Sequence, residues 1–300
     1  MRSGIVAIDI GGSHITSVMI ENLETGDFAT SFQKTKIDSL GSRNSIIAAW
    51  HQNISTTIEK APAQFANKIA IAIPGPFDWK DGIGQYTNTG KFAALSKANI
   101  RELLQSHFQQ ELSIHFENDA ACFGLGECYF GQAREYTKSM AITLGTGIGC
   151  SFLENRIVIK EGHTVPPGGE IFHLPYKNAT ADDFFSTRWF VKRTAEQYGL
   201  KITGVKELTL LSPTCSTEAI FLEFAENLVA FLVPIALKFG AEAILFGGNI
   251  SKAWSYFSGP LQSKFAKYSV DILRSELDEM GICLGAAIAL SKSTSKATIS

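Results

Sequence analysis

The sequence predicts an α/β protein that contains a repeated unit. Three observations carry this. Short apolar, β-branched segments alternate with longer segments of helical apolar spacing. Glycine-rich turns at residues 11–13, 145–149 and 247–249 each follow an apolar segment. The stretch from Ala7 to Asn22 has a near copy from Ala141 to Asn155, offset by 134 residues at its start. The copies align with one residue of slippage, since Gly11 to Asn22 is 11 steps and Gly145 to Asn155 is 10. They read as two copies of one β-hairpin. Chance likeness of two apolar hairpins is the alternative.

In chain order, residues 5–10 read as a mostly buried strand. Gly11-Gly12-Ser13 turns it, and 14–21 continue as a second strand. A third strand is expected at 28–35 and a helix at 44–60. The β-branched run 68–73 is stopped by Pro74-Gly75-Pro76. Helical spacing returns at 97–109. A strand at 113–116 leads to Asn118-Asp119 and a helix up to Gly131. After the second hairpin, helices are expected at 181–198, 216–239, 251–266 and 276–291, with strands at 242–246 and 268–273. The polar tail 291–300 is expected to fray.

The chain has 300 residues, 45% apolar and 19% charged, with a net charge of −2. That length admits one large domain or two of about 150 residues. The charge offers no strong field for nucleic acid or an anionic membrane surface. No uninterrupted apolar run of about 18 residues is present. Met1-Arg2-Ser3-Gly4 leads straight into the first strand, so no signal peptide is expected. The five cysteines, 122, 128, 150, 215 and 283, are scattered and odd in number. They suggest reduced thiols and a cytoplasmic protein.

Glycine lacks a Cβ, so backbone N–H groups in such turns can approach a ligand closely and form an anion nest. The turns match neither common phosphate motif. No Gly-x-x-x-x-Gly-Lys-Ser/Thr occurs, and the turn at 145–149 continues into strand-like residues rather than opening a helix. Asp9 stands at a strand end beside the first turn. It fits a ligand for Mg²⁺ next to phosphates, or a turn aspartate satisfied by N–H groups. Asp119 fits a structural N-cap, or a base that takes a proton from an attacking hydroxyl. The two roles are compatible, because a helix start is a rigid mount for a carboxylate.

Six motifs in order carry a resemblance. They are Asp9-x-Gly11-Gly12-Ser13, Pro74-Gly75-Pro76, Asn118-Asp119-Ala120-Ala121, Gly145-Thr146-Gly147-Ile148-Gly149, Gly169-Glu170-Ile171-x-His173 and Gly247-Gly248-Asn249. Together they resemble the ROK family (repressor, ORF, kinase) of the actin-like ATPase superfamily, over about residues 5–290. The resemblance implies two ribonuclease-H-like, actin-like ATPase domains with a cleft between them. It places a small N-terminal domain at 1–117, with the C-terminal helix from about 286–300 packing on it, and a larger domain at 118–285.

The implied activity is glucokinase-like: MgATP-dependent phosphorylation of a hexose or amino-sugar hydroxyl. Gly11, Gly12 and Ser13 would face the phosphates and Asp9 the magnesium, directly or through water. Gly145, Thr146 and Gly147 would form the second phosphate loop, with Gly247, Gly248 and Asn249 near the adenosine. Asn118 and Asp119 would hold the sugar, Asp119 as base, and Glu170 and His173 would bind its hydroxyls. Gly75 and Asn88 lie where the family also contacts sugar. Domain closure would exclude water, which competes with the sugar as nucleophile. A homodimer is expected, and no nucleic-acid or membrane partner.

The chain departs from the family pattern in four places. The zinc motif Cys-x-Cys-Gly-x-x-Gly-Cys is absent, and residues 174–190 hold no cysteine, so no zinc is expected. Something else would then have to hold His173, such as packing around Phe172. Phe172 replaces a usual glycine, and its ring either reshapes the sugar pocket or turns into the core. Lys91-Phe92 replaces a tryptophan-containing stretch, and Lys91 either meets a charged group or is solvated. The glutamate of the zinc loop, another usual sugar contact, is lost. Three rivals stand beside the kinase. A sugar-responsive repressor would carry a helix-turn-helix, but only eight residues precede Asp9. Retained Asp9 and Asp119 argue against a non-catalytic sugar or nucleotide sensor, and the lost zinc loop argues for it. A different transferase of the same superfamily, such as a BadF/BadG-type or N-acetylglucosamine kinase, is the third, and the Gly-Glu-Ile-x-His stretch favours ROK over it. Polyphosphate is the alternative donor; Gly247-Gly248-Asn249 favours ATP.

Overall fold

The computed structural model describes residues 3–28, 32–61, 64–87, 90–211 and 217–297. The chain forms two compact units, Met1–Gly126 with Glu279–Ser300, and Glu127–Asp278.

The sheet of the first unit opens with a hairpin of β1 (Ser3–Ile10) and β2 (His14–Asn22), antiparallel with Ile10 opposite Ile15. β3 (Asp27–Phe28) and β4 (Gln33–Lys36) pair with β2. α1 (Arg43–Lys60) starts where the Ser42 side chain accepts from the Ser45 N–H. Its residues Ile46, Ile47, Trp50 and Ile54 recur at helical spacing and join the buried core of this unit. β5 (Gln64–Ile73) runs parallel to β1. The small hairpin β6 (Phe77–Asp78) and β7 (Ile83–Gly84) and α2 (Ile100–Gln105) follow. β8 (Ser113–Asn118) then runs parallel to β5, and α3 (Asp119–Phe130) leaves its end.

The second unit repeats this plan. β9 (Lys138–Leu144) and β10 (Ile148–Glu154) form its hairpin, and β11 (Ile157–Ile159) extends it. The short pair β12 (Pro175–Tyr176) and β13 (Ala179–Thr180) precedes α4 (Ala181–Phe184), α5 (Thr187–Tyr198), α6 (Val205–Leu211) and α7 (Glu218–Phe239). β14 (Ala243–Gly247) runs parallel to β9. After α8 (Trp254–Ala266), β15 (Asp271–Arg274) runs parallel to β14. α9 (Glu279–Ala297) rejoins the first unit and packs on β1, β5 and β8.

The orders β3-β2-β1-β5-β8 and β11-β10-β9-β14-β15 are the same, with the same parallel and antiparallel steps. The internal repeat is therefore structural. Its slippage lies in the turn, because Ile10 faces Ile15 whereas Leu144 faces Ile148.

Several boundaries differ from the expected ones. The strand expected at 28–35 is the two pieces β3 and β4, with 29–31 outside the described residues. The helix expected at 97–109 shrinks to α2, which begins where the Asn99 side chain accepts from the Glu102 N–H. The helix expected at 181–198 is broken at Phe185, whose backbone (φ −114°, ψ 47°) leaves the helical region. The 291–300 tail stays helical to Ala297. The units part at Gly126/Glu127, inside α3, rather than at 117/118, and all of α9 belongs with the first. α7 has a window of mean hydropathy 1.9 and is long and apolar enough to cross a membrane, although Glu223 and Glu226 interrupt it. Half of that window is buried within the protein, as in the core helix of a globular protein.

Candidate active site

Three chain-distant motifs of the first unit leave the same sheet edge. Asp9 is level with Ala72, Ala72 with Glu117, and Ile73 with Asn118. Gly11-Gly12-Ser13, Pro74-Gly75-Pro76 and Asn118-Asp119 thus follow the carboxyl ends of three adjacent parallel strands. Ligands of open α/β sheets bind at such an edge.

The side chains there are crowded with carboxylates. Asp9 is half-buried. Burial, then the Asp119 and Glu279 carboxylates, push its pKa up to about 8, with Lys34 opposing. Glu279 accepts from Thr16 Oγ1 at 3.2 Å and pairs with the Lys34 ammonium. Burial also raises Asp119, while the Ala120 N–H, donating at 2.9 Å to Oδ1, and the Lys91 charge hold it down. Asn118 Oδ1 accepts from the Ala121 N–H at 3.0 Å. Asn118 thus supplies the N-cap of α3, and Asp119 Oδ1 takes a further N–H of its first turn. Lys91 comes to the first glycine turn: a Cβ on Gly12 would lie 3.1 Å from its Nζ. The lysine that the sequence left as either charged partner or solvated therefore sits beside both the turn and Asp119.

The Pro74-Gly75 turn is braced from below. Tyr86 OH donates to Pro74 O at 3.0 Å and Trp79 Nε1 to Ile73 O at 3.2 Å. Burial and the Asp119 charge raise the Tyr86 phenol, so it stays a donor. Asn88 lies outside the described residues.

In the second unit two glycine turns share one sheet edge, since Gly247 is level with Thr143. Gly248 has φ +85°, and a Cβ on it would lie 2.4 Å from Leu144 O, so only glycine fits. Thr146 and Asn249 are exposed at this edge. Gly145 O accepts from Thr187 N–H at 2.8 Å and Oγ1 at 2.9 Å. Glu170 follows the short turn Pro167–Gly169, and His173 is exposed three residues on. Phe172 is 44% exposed, with its ring edge-on to His173 at 5.1 Å. The ring has not turned into the core.

Among the described residues no three His, Cys, Asp or Glu side chains gather as a metal-binding group. Of the cysteines, Cys122, Cys128, Cys150 and Cys283 are buried free thiols, and Cys215 lies outside the described residues. Sequence reasoning missed Lys34, Tyr86, Asp182 and Glu279. No local motif marks them; the pairing of β4 with β2 places Lys34 and the return of α9 places Glu279, while Tyr86 donates to Pro74 O and Asp182, in α4, accepts from the Ile148 N–H.

Two sheets of one order, each with glycine turns at its carboxyl edge, are the duplicated α/β plan of the actin-like fold. The chain belongs to the ROK family, whose model matches residues 5–291. It is 23% identical to a glucokinase of Thermotoga maritima, over 94% of this chain and 96% of that one. It is 24% identical to an N-acetyl-D-glucosamine kinase of Vibrio cholerae, over 81% and 83%. Its fold is similar to that of a ROK family glucokinase from Streptomyces griseus, solved with glucose and AMPPNP. That similarity has a TM-score of 0.76 at 18% identity, covering 95% and 98% of the two chains.

Proposed function

We propose that this chain is an ATP-dependent sugar kinase acting on a hydroxyl of a hexose or amino sugar. The observation that carries the proposal is the half-buried Asp119, set at one sheet edge with the first glycine turn, Asp9 and Lys91. Phosphoryl transfer asks a protein mainly for positioning and charge stabilisation. We assign the N–H groups of Gly11, Gly12, Ser13, Gly145, Thr146 and Gly147 to the phosphates, and Gly247, Gly248 and Asn249 to the adenosine side. Asp119 orients the sugar hydroxyl and accepts its proton. Its raised pKa suits that task, because a more basic carboxylate is a better acceptor. Asn118, Gly75, Asn88, Glu170 and His173 hold the sugar. Lys91 adds a positive charge beside the first turn.

A magnesium ion carried on the nucleotide fits the donors present. Among the described residues there is no closed cage, but Asp9 offers one carboxylate beside the first glycine turn. The burial and like charge that raise Asp9 are what a bound cation relieves. Bound there, the ion would neutralise phosphate charge.

The relatives named N-acetyl-D-glucosamine kinase favour an N-acetylhexosamine as the second reading of the acceptor. The two compact units are taken as the two domains of the kinase, and the protein as cytoplasmic. A homodimer is proposed to use the exposed Leu222 and Leu237 on α7. The test is ADP release with MgATP across hexoses and N-acetylhexosamines. Turnover on one sugar class supports the reading. Nucleotide binding without turnover on any sugar would favour a sensor.

A further inference from the structure

We infer that Asp182 is a positioning residue that ties the second phosphate loop to the segment bearing Phe172 and His173, so that nucleotide and sugar bind cooperatively. The cooperative part rests on the kinase reading above. Asp182 lies in α4, and its backbone faces the sugar segment. Its N–H donates to Phe172 O at 3.0 Å, and the Ala181 N–H donates to Leu174 O at 2.9 Å. Its side chain reaches the other way. Oδ1 accepts from the Ile148 N–H at 3.0 Å, and Oδ2 pairs with Arg188 Nη2 at 2.5 Å. Arg188 follows Thr187, which holds Gly145 O. Residues 181–188 therefore grip both ends of the loop and the backbone of Phe172. Phe172 in turn lies edge-on to His173.

The grip is close. A Cβ on Gly147 would lie 2.2 Å from Asp182 Oδ1, so glycine there also serves this carboxylate. The ion pair with Arg188 fixes the carboxylate's direction. A ligand that orders one segment then pre-orders the other through the shared residue, and the second ligand binds at lower entropic cost. In this chain, which has no zinc loop, the Asp182 and Ala181 N–H groups anchor the histidine segment, and the Asp182 carboxylate ties that anchor to the loop.

The test measures AMPPNP affinity by calorimetry with and without saturating glucose or N-acetylglucosamine. Wild type, Asp182→Asn and Asp182→Ala are compared, with hydrogen exchange of the ligand-free proteins alongside. Sugar should tighten AMPPNP binding of the wild type by about 5-fold or more. In Asp182→Ala that ratio should fall toward one, with faster exchange at both 145–149 and 170–174. Asp182→Asn keeps an oxygen for the Ile148 N–H and should retain most of the ratio. A wild-type ratio of one overturns the inference, as does Asp182→Ala with both affinities weakened but the ratio intact. If the wild type binds neither AMPPNP nor sugar, the kinase reading fails. Hydrogen exchange then decides the tie alone, and unchanged exchange at both segments overturns it.

Discussion

Alanine at Gly145 and at Gly248 should have opposite consequences, although both glycines border the second phosphate edge. At Gly248 the backbone sits at φ +85°, and a Cβ would come within 2.4 Å of Leu144 O. The left-handed conformation costs about 1–2 kcal/mol for an L residue. Forcing the strand end aside adds about 1–3 kcal/mol. Together these destabilise the unit by about 2–5 kcal/mol, a fall in Tm of roughly 4–20 °C. At Gly145 a Cβ meets nothing within 4 Å. Gly145→Ala should therefore fold within about 0.5 kcal/mol of wild type. Its methyl group would still occupy the space assigned to phosphate, so AMPPNP should bind about tenfold or more weakly, a loss of about 1.4 kcal/mol. Calorimetric melting and AMPPNP titration read the two effects. Wild-type stability in Gly248→Ala, or wild-type AMPPNP affinity in Gly145→Ala, would refute the reasoning.

Three more outcomes are expected. Lys91→Met should lower kcat/KM by roughly 10–150-fold, the worth of about 1.5–3 kcal/mol for a charged hydrogen bond, with Lys91→Arg in between; unchanged kcat/KM would make Lys91 a solvated side chain. Phe172→Gly should shift the ratio of kcat/KM between hexoses and N-acetylhexosamines at constant Tm, and an unmoved ratio would show that the exposed ring does not shape the pocket. Glu127 is buried, accepts from the Ser275 hydroxyl and the Gln132 N–H, and faces Asp278 and Glu276. Burial, aided by those two carboxylates, raises its pKa, so the fold binds its proton more tightly than the unfolded chain does. Its contribution is complete below the usual 4.5 and is lost as pH rises through the folded value. Urea denaturation at a series of pH values should show wild type losing stability relative to Glu127→Gln above pH 4.5, and parallel curves would contradict this.

The duplicated plan was legible because each hairpin carries its own local signal, an apolar strand, a glycine turn and a second strand. The parallel steps were less so. Nothing in the run ending at Ile73 says that it lies level with Asp9 and Asn118; that register arises from packing. Helix ends were misjudged where a polar side chain intervenes, as at Asn99, or where a backbone leaves the helical region, as at Phe185. Within the site, Asp9, Asp119 and the turns stood out because their residue types sit at strand ends. Glu279 opens a helix far along the chain and reaches Thr16 and Lys34 only because α9 returns to the first unit. Asp182 carries no motif, and its contacts to Ile148, Arg188 and Phe172 O distinguish it from Asp183 beside it, which caps α4 with Thr180.

The most direct test of the central claim is phosphoryl transfer by Asp119→Asn, followed as sugar phosphate formed from MgATP, with AMPPNP and sugar affinities measured on the same protein. Loss of a general base predicts a fall in kcat of about 10²–10⁴-fold. AMPPNP affinity should stay near wild type, because Asn118 caps α3 and the turns are untouched, and sugar affinity should weaken far less than kcat falls. Wild-type kcat in Asp119→Asn would contradict the account, as would a wild type that binds AMPPNP and sugar but forms no sugar phosphate.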